Sequence, residues 1–462
     1  MNLQQRLNKD EIIQYINSNF DNEIYLVGGA VRDYLSNKET YDRDLIVCDE
    51  DAKIFAEKLS KKLDATFVPL DEENKIYRLV LKDKVNYLDI TNPVENSLEK
   101  DLLRRDLTIN AIAVNIKTSE IVDITDGLSD FNNKIIKIVS EQNILDDPLR
   151  ILRVFRFHSN LGFDIDNETL KFVLRNSDLI KKPAIERVCY EIMKMFQGEF
   201  VHETLLKMDN LLELIMPFVS DLKKVPPNSH HHLDLFHHSV ETVRQIGELY
   251  KNSSKVVQEH LNRVDFGGFS RLTHLKLAAF MHDIGKFSTW AIIDGRHRFI
   301  KHDDIGAKMS VELLKDLHFS NKQIEYISFM IKNHIYPSSL LSAPDLNEKV
   351  MMRFVRKADL NAIDVILLAM ADRLSARGPE ITDEMVDKNI MGLAYLLDFY
   401  LEKRKTLKPL PKLLDGNDIM NMLNISPSPL LGEILENLYE AQLSGDINSR
   451  DEAVNYVLNY KK

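Results

Sequence analysis

The sequence predicts an α+β fold: a small mixed-sheet head over residues 1–140, then an all-α remainder. Two observations predict it. Short apolar, strand-like runs recur at close intervals in the first part: Ile24–Val27, Leu45–Val47, Ala65–Pro69, Lys75–Leu81 and Val85–Ile90. From about Asp146 onward the Leu, Ile and Met spacing becomes helical and stays so. The 462 residues suffice for two to four domains at ~100–200 residues each. At 44% hydrophobic and 28% charged, the composition is that of a globular chain rather than a fibrous or disordered one. No apolar run approaches the ~18 residues of a membrane span, and MNLQQRLNKDE lacks the apolar centre of a signal peptide. Cys48 and Cys189 sit in apolar segments, as buried thiols would in a reducing cytoplasm. A net charge of −11 argues against a surface coated for non-specific nucleic-acid binding. An RNA ligand would need a local basic track, for which Arg104-Arg105 and the arginines of 150–156 are the candidates.

In chain order, Asp10–Phe20 reads as a short amphipathic helix that props the first strand. Strand Ile24–Val27 runs into Gly28-Gly29 and then a helical pattern containing Arg32. Glycines between a strand and a helix let backbone approach a ligand closely, and free N–H groups at a helix start suit phosphate. Asp42-Arg43-Asp44 opens the next strand, where residues two apart share a face. Asp42 and Asp44 thus present two hard oxygen ligands beside the phosphate cradle, a pattern that suits Mg²⁺. Glu50–Leu63 is an amphipathic helix with acids first and lysines last, as its dipole favours. Three strands follow; Asp89 closes the last and reads equally as a third carboxylate or a strand-end residue.

Ser97–Asn110 carries Arg104, Arg105, Asp106 and Asn110 in a stretch too polar for core. Ala113–Lys117 and Glu120–Asp123 read as a hairpin, and Asp126–Asn132 as a short helix. Asp146–Asn160 reads as one helix started by an acid pair and Pro148, with Asp147, Arg150, Arg153 and Arg156 on a charged face. By spacing alone it is an ordinary surface helix. Residues 205–400 read as helical and bear dispersed metal-ligand types: His238, the His282-Asp283 doublet, His302, His334 and Asp372. KPLPK at 408–412 is a proline-interrupted break before a helical tail.

The joint pattern of strand, GGAVRD, helix, DRD and strand resembles the head of polymerase-beta-like nucleotidyltransferases, in particular the bacterial tRNA nucleotidyltransferase / poly(A) polymerase family. RRDLTINAIA at 104–113 is similar to that family's ribose- and triphosphate-binding RRDFTxNAxA, with Leu107 for Phe. DDPLR at 146–150 is similar to its EDxxR, whose second acid and arginine read the base; Asp146 replaces the usual Glu. Glu186, Arg187 and Glu191 match a supporting neck segment. HDIG at 282–285 resembles an HD phosphohydrolase domain. There His238, His282, Asp283 and Asp372 would hold one metal, with His302 and His334 the added pair of two-metal members.

The resemblance implies a nucleotidyltransferase head at 1–140, a neck at 141–204, an HD body at 205–400 and an RNA-binding tail at 401–462. It implies addition of CCA to tRNA 3′ ends from CTP and ATP by two-metal nucleotidyl transfer. Gly28, Gly29, Arg32, Arg105, Asp106, Asn110, Asp147, Arg150, Arg153 and Arg156 would bind the nucleotide, and Asp42 and Asp44 would hold Mg²⁺. Mn²⁺, Ni²⁺, Co²⁺ or Zn²⁺ would suit the HD ligands, for a phosphohydrolase acting on 2′,3′-cyclic or 2′-phosphate ends. Two departures stand out. The flexible TFRxxxxYxDxR stretch between the carboxylate strand and RRD is missing, which favours CC-only addition as a competing reading. The tail's usual glycines are replaced by Asn424 and Ser428. A poly(A) polymerase, and an HD hydrolase that uses its head to bind RNA, also compete with CCA addition.

Overall fold

The computed structural model describes residues 3–208, 210–343, 346–405 and 410–460. The chain forms two compact units, Met1–Ile215 and Met216–Lys462. Of the proline-interrupted break, Lys408 and Pro409 lie outside the described residues. No described helix is long and apolar enough to cross a membrane.

The first unit is built on a seven-stranded sheet of order β3-β4-β5-β2-β1-β6-β7. Its strands are β1 Ile24–Val27, β2 Asp42–Val47, β3 Thr66–Asp71, β4 Ile76–Val80, β5 Tyr87–Thr91, β6 Ile112–Asn115 and β7 Ile121–Asp123. Only β2 and β5 pair in parallel; the other neighbours are antiparallel, so the sheet is mixed, as expected. Alternation along β2 decides the site. Arg43, Leu45 and Val47 point to one face, where the leucine and valine join a core with Ile13, Val31, Phe55 and Leu59 from the flanking helices. Asp42, Asp44 and Ile46 point to the other, where Ile46 packs with Val27, Leu98, Leu102 and Ala113. Arg43 is buried but paired: its Nε donates to Asp10 at 2.6 Å and Nη1 to Asn86 at 2.9 Å. Asp10 also accepts from Ile12 and Ile13 N–H, capping helix Glu11–Asn19, so one carboxylate fixes the helix start and the reverse of β2.

The acid pair at 146–147 does not start a helix. Helix Glu141–Asp146 ends there, Asp147 is non-helical at φ −133°, and the arginine helix runs Arg150–Leu161. Pro148 disfavours α geometry in the residue before it, which breaks the expected single helix in two. Asp146 turns away to accept from Gln142 Nε2 at 2.7 Å.

The second unit packs helices Leu235–Asn252, Arg271–Met281, His302–Asp316, Asn321–Asn333 and Ala362–Ser375 around one another. The span read as wholly helical contains an antiparallel hairpin, Trp290–Ile293 with Arg296–Phe299. Asp294-Gly295 at its turn have φ 51° and 72°, the geometry that Asp-Gly favours between paired strands. Helices Gly416–Leu423, Pro429–Ser444 and Arg450–Leu458 share a small core of Leu414, Ile419, Ile434, Leu438 and Val457. Asn424 takes the left-handed conformation at φ 51° that the missing glycine would have supplied.

Candidate active site and metal centre

On the first unit, β1 delivers the chain into Gly28 at φ +70°, and helix Gly29–Leu35 follows. A Cβ at Gly28 would sit 2.9 Å from Asp44 Oδ2 and 3.1 Å from Arg105 Nη1, so this turn requires glycine. The register sets Val27 opposite Asp44 and Asp44 opposite Asp89. Asp42, Asp44 and Asp89 consequently bring ligand oxygens within 4.8 Å of one another. Burial pushes the Asp44 carboxyl up to about 6, against the pull of Arg105. Burial and then the Asp89 charge raise Asp42 as well. Crowded carboxylates held up in this way fit a site that takes up a divalent cation. Asp89 differs from the other two, because Arg78 of β4 donates Nε and Nη2 to its two oxygens at 2.7 and 2.6 Å.

A relay of polar groups faces these carboxylates. Arg32 Nη1 donates to Asn110 Oδ1 at 2.6 Å, and Asn110 Nδ2 donates to Asp106 Oδ1 at 3.1 Å. Asp106 Oδ2 accepts from Arg153 Nε at 2.6 Å. Burial opposes charge on Asp106, yet Arg153, Asn110 and the Leu107 N–H hold it below the usual carboxylate range. Glu191, from helix Ile185–Phe196, lies 3.9 Å from Arg153 and 3.3 Å from Arg156. Arg32, Arg153 and Arg156 all lie over the Phe157 ring, at 4.9, 5.7 and 4.4 Å from its centre. One ring thus gathers three cations that would otherwise repel.

Gly28, Gly29, Arg32, Asp42, Asp44, Arg105, Asp106, Asn110, Arg153 and Arg156 line one cavity of about 510 Å³. Asp147 and Arg150 line a second of about 320 Å³ that shares Arg105, Asp106 and Arg153 with the first. Arg150 Nη1 donates to the carbonyls of Arg104 and Asn143 at 2.8 and 3.2 Å, which fixes its plane. Asp147 lies 4.0 Å from Arg150 and 3.4 Å from Arg187. A larger cavity of about 690 Å³ opens around Arg43 on the reverse of β2, away from the carboxylates. Phe157, Asn160, Lys194 and Gln197 also line the first cavity and were not anticipated. Phe157 reads in the sequence as one more apolar residue of an amphipathic helix. Lys194 and Gln197 fall within the neck but outside its Glu186, Arg187 and Glu191 match.

The second unit gathers all six dispersed candidates. His238, His282 and Asp283 form one group, His282, His334 and Asp372 another, and Asp283, His302 and His334 a third. Asp283 is central: His282 Nε2 lies 3.1 Å, His238 Nε2 3.5 Å, His302 Nε2 3.3 Å and His334 Nε2 3.7 Å from its oxygens. Neither Asp283 oxygen accepts a well-directed hydrogen bond, although both are buried. His282, His302 and His334 each donate Nδ1–H to the carbonyl three residues earlier, on Ala279, Phe299 and Ile331, at 2.7, 2.7 and 2.6 Å. Each therefore turns its Nε2 inward, the orientation metal-bound histidines use. Although burial opposes it, His282 and Lys286 hold Asp283 well below its usual range, while Asp283 and Asp372 raise His282 to about 10. Lys286 Nζ stands 2.6 Å from Asp283 Oδ2. Such imidazole-rich donor sets fit transition ions better than Mg²⁺. Gly285 permits the packing, since a Cβ there would meet the His302 carbonyl at 2.2 Å.

Family profiles match the chain in order: "Poly A polymerase head domain" over residues 24–137, "Probable RNA and SrmB- binding site of polymerase A" over 162–223 and "HD domain" over 235–377. An A-adding tRNA nucleotidyltransferase of Deinococcus radiodurans is 30% identical over 446 residues, 94% of each chain. The chain belongs to the tRNA nucleotidyltransferase / poly(A) polymerase family. Within that family, a CC-adding tRNA nucleotidyltransferase of Thermus thermophilus is 28% identical over 448 residues, 95% of this chain and 94% of that one. The Thermotoga maritima CCA-adding enzyme complexed with tRNA shares the fold, with a TM-score of 0.54 at 22% identity over 99% of this chain and 94% of that one. The head and HD domains of this family member imply dependence on divalent metal, consistent with both ligand clusters.

Proposed function

We propose that the protein adds C and A to tRNA 3′ ends from CTP and ATP. The carrying observation is the pair of joined cavities: carboxylates and four arginines line one, and Asp147 and Arg150 line the other. Arg32, Arg105, Arg153 and Arg156 bind the triphosphate and offset its charge. Asp42 and Asp44 would hold Mg²⁺, as a pair in the two-metal form, with Asp89 tied back by Arg78. A cation held by Asp42 and Asp44 would supply Lewis-acid chemistry there, favouring ionisation of the attacking 3′-hydroxyl and offsetting charge on the departing pyrophosphate. Asp147 accepts from the amino group that cytosine and adenine share and uracil lacks. Arg150 donates to their unprotonated ring nitrogen, where uracil and guanine carry an N–H. Head 1–140, neck 141–204, body 205–400 and RNA-binding tail 401–462 are the division of labour we assign.

End-labelled tRNA lacking its 3′ end, given CTP alone, ATP alone or both, tests this reading. Sequential C then A incorporation is expected. Incorporation of neither nucleotide would overturn it. A narrower activity is the competing reading, with one observation behind it: two relatives matched along nearly their full length are named A-adding and CC-adding. A parallel substrate ending in CC, together with the CTP-only and ATP-only arms, separates these from full CCA addition.

For the second unit the supported reading is a metal-dependent phosphohydrolase of 2′,3′-cyclic or 2′-phosphate ends. The inward Nε2 atoms around Asp283 support it. Mn²⁺, Ni²⁺, Co²⁺ or Zn²⁺ held there would supply an activated water. Purified protein with no bound transition ion, and no hydrolysis of 2′,3′-cyclic AMP after adding Mn²⁺ or Ni²⁺, would overturn this reading.

A further inference from the structure

The hairpin Trp290–Phe299 is an exposed feature that neither reading uses, and it is rooted in the metal cluster. Its last residue, Phe299, provides the carbonyl that orients His302, and the Phe299 ring lies 5.5 Å from the Lys286 ammonium. Its two faces differ. On one, Trp290 pairs with Phe299 and Ile292 with His297. The Trp290 indole stacks on His297 at 5.4 Å and donates to its Nδ1 at 3.0 Å, which stiffens the arm. On the other face Ala291 pairs with Arg298 and Ile293 with Arg296, and all four side chains are exposed. Among the described residues, the side chains of Arg296, Arg298 and Lys301 have no hydrogen-bond or ion-pair partner. Ile300, next to Lys301, is 65% exposed.

Residues 290–301 carry three fixed cations against one acid, Asp294, in a chain whose net charge is −11. Exposed cations clustered on one face make a local positive patch that attracts an anionic ligand. The arginines stand two residues apart on one strand, roughly 6–7 Å along it, which is the spacing of successive phosphates in an extended strand to within an ångström. Opposite them, Ala291 leaves room beside Arg298, and the exposed Ile293 offers an apolar surface beside Arg296.

We propose that this face of the hairpin is a clamp for single-stranded RNA, Arg296 and Arg298 each gripping a backbone phosphate so that the strand's terminal phosphate reaches the Asp283 cluster. The proposal rests on the phosphohydrolase reading for its chemistry, but not for its binding. It makes the preferred substrate of that site an oligonucleotide end rather than a free nucleotide.

Two measurements on the full-length protein test it. A five-nucleotide RNA containing 4-thiouridine and ending in a 2′,3′-cyclic phosphate is photo-cross-linked, and the adducts are mapped. Adducts within 290–301, lost in an Arg296→Glu/Arg298→Glu double variant, are expected; no adduct there overturns the clamp. Hydrolysis of the same RNA is then compared with that of 2′,3′-cyclic AMP in an Arg296→Ala/Arg298→Ala variant. The KM for RNA should rise at least tenfold with the mononucleotide KM unchanged, and the salt slope of log(kcat/KM) should flatten by about 1.4, from ~0.7 per phosphate contact. Equal loss on both substrates would mean the hairpin only props His302, and would sink the clamp. A variant that altered only self-association would reassign the face to a second copy of the chain. Cross-linking at the hairpin without hydrolysis of either substrate would leave the clamp standing and remove the phosphohydrolase reading instead.

Discussion

The two metal-ligand clusters are built on opposite plans. In the first unit, Asp42 and Asp44 are neighbours on one strand, partly open to solvent, and offer only oxygen. In the second, four histidines from separate helices and turns converge on Asp283, which is fully buried, and Asp372 stands against two of them, His238 and His282. An open, all-oxygen site of this kind would hold Mg²⁺ loosely and exchange it with each nucleotide, whose phosphates would complete the ligand shell. The second holds its donors preoriented by three backbone carbonyls and should retain its ion. Openness and oxygen ligands go with turnover of the metal complex; burial and fixed tautomers go with a resident metal.

The hardest test of this contrast is to remove one ligand at each site. Asp44→Asn should lower nucleotide addition by about 10³-fold or more, the several kcal/mol a catalytic cation supplies, and leave metal content in the second unit intact. Asp283→Asn should do the reverse: transition-metal stoichiometry measured by mass spectrometry should drop to background with CTP incorporation kept. Loss of both activities in either variant would mean that the sites are not independent.

Metal exchange should separate them nearly as far. After exhaustive chelation and dialysis, Mg²⁺ alone should restore nucleotide addition, whereas hydrolysis should return only with Mn²⁺, Ni²⁺, Co²⁺ or Zn²⁺. Recovery of both activities by Mg²⁺ would erase the distinction.

A smaller effect is expected where the first unit reads the base. Asp147→Ala or Arg150→Ala should reduce discrimination against UTP and GTP by roughly tenfold to a hundredfold, the ~1–3 kcal/mol of one lost bidentate contact. Unchanged selectivity in misincorporation assays would make these residues supports of the neighbouring arginines.

Within the carboxylate group, Asp89→Asn should cost less than about tenfold, since Arg78 already engages both Asp89 oxygens. A loss equal to that of Asp44→Asn would make Asp89 a full ligand. The smallest effect concerns the fold of the first unit rather than its chemistry. Burial lowers the His158 imidazole to about 4, where it bonds Thr204 at 2.7 Å. Its folded pKa lies below the unfolded value near 6.5, so the unfolded chain binds the extra proton as pH falls. Stability should therefore decline from about pH 6.5 towards pH 4, read as a falling Tm, and His158→Gln should flatten that slope.

The first cluster was legible because its information is local. Strand periodicity alone sets Asp42 and Asp44 on one face, and a glycine pair with a following arginine marks the cradle. The arginine helix was legible in part. Its charged residues stand out in the sequence, but Pro148 splits the expected helix, and the splitting sets Asp147 and Arg150 in a cavity of their own. Phe157 was not legible, because an aromatic on an amphipathic face carries no sign of the cations that will stack on it. The hairpin at 290–299 escapes a reading by periodicity although Asp294-Gly295 announces it, since the surrounding helical spacing outweighs a two-residue signal.

By itself the sequence determined which residues carry chemistry: the carboxylate pair, the arginines and the histidine–aspartate set, because residue type and short spacing restrict what each can do. Only the tertiary structure decided how they are apportioned. It tied Asp89 to Arg78, linked Arg32 to Arg153 through Asn110 and Asp106, and turned three imidazoles inward around one buried carboxylate. The decisive pairings are distant in the chain: Arg32 and Asn110 are 78 positions apart, and Asp106 and Arg153 are 47 apart. Such contacts form only when buried apolar surface offsets the entropy of closing the loops between them.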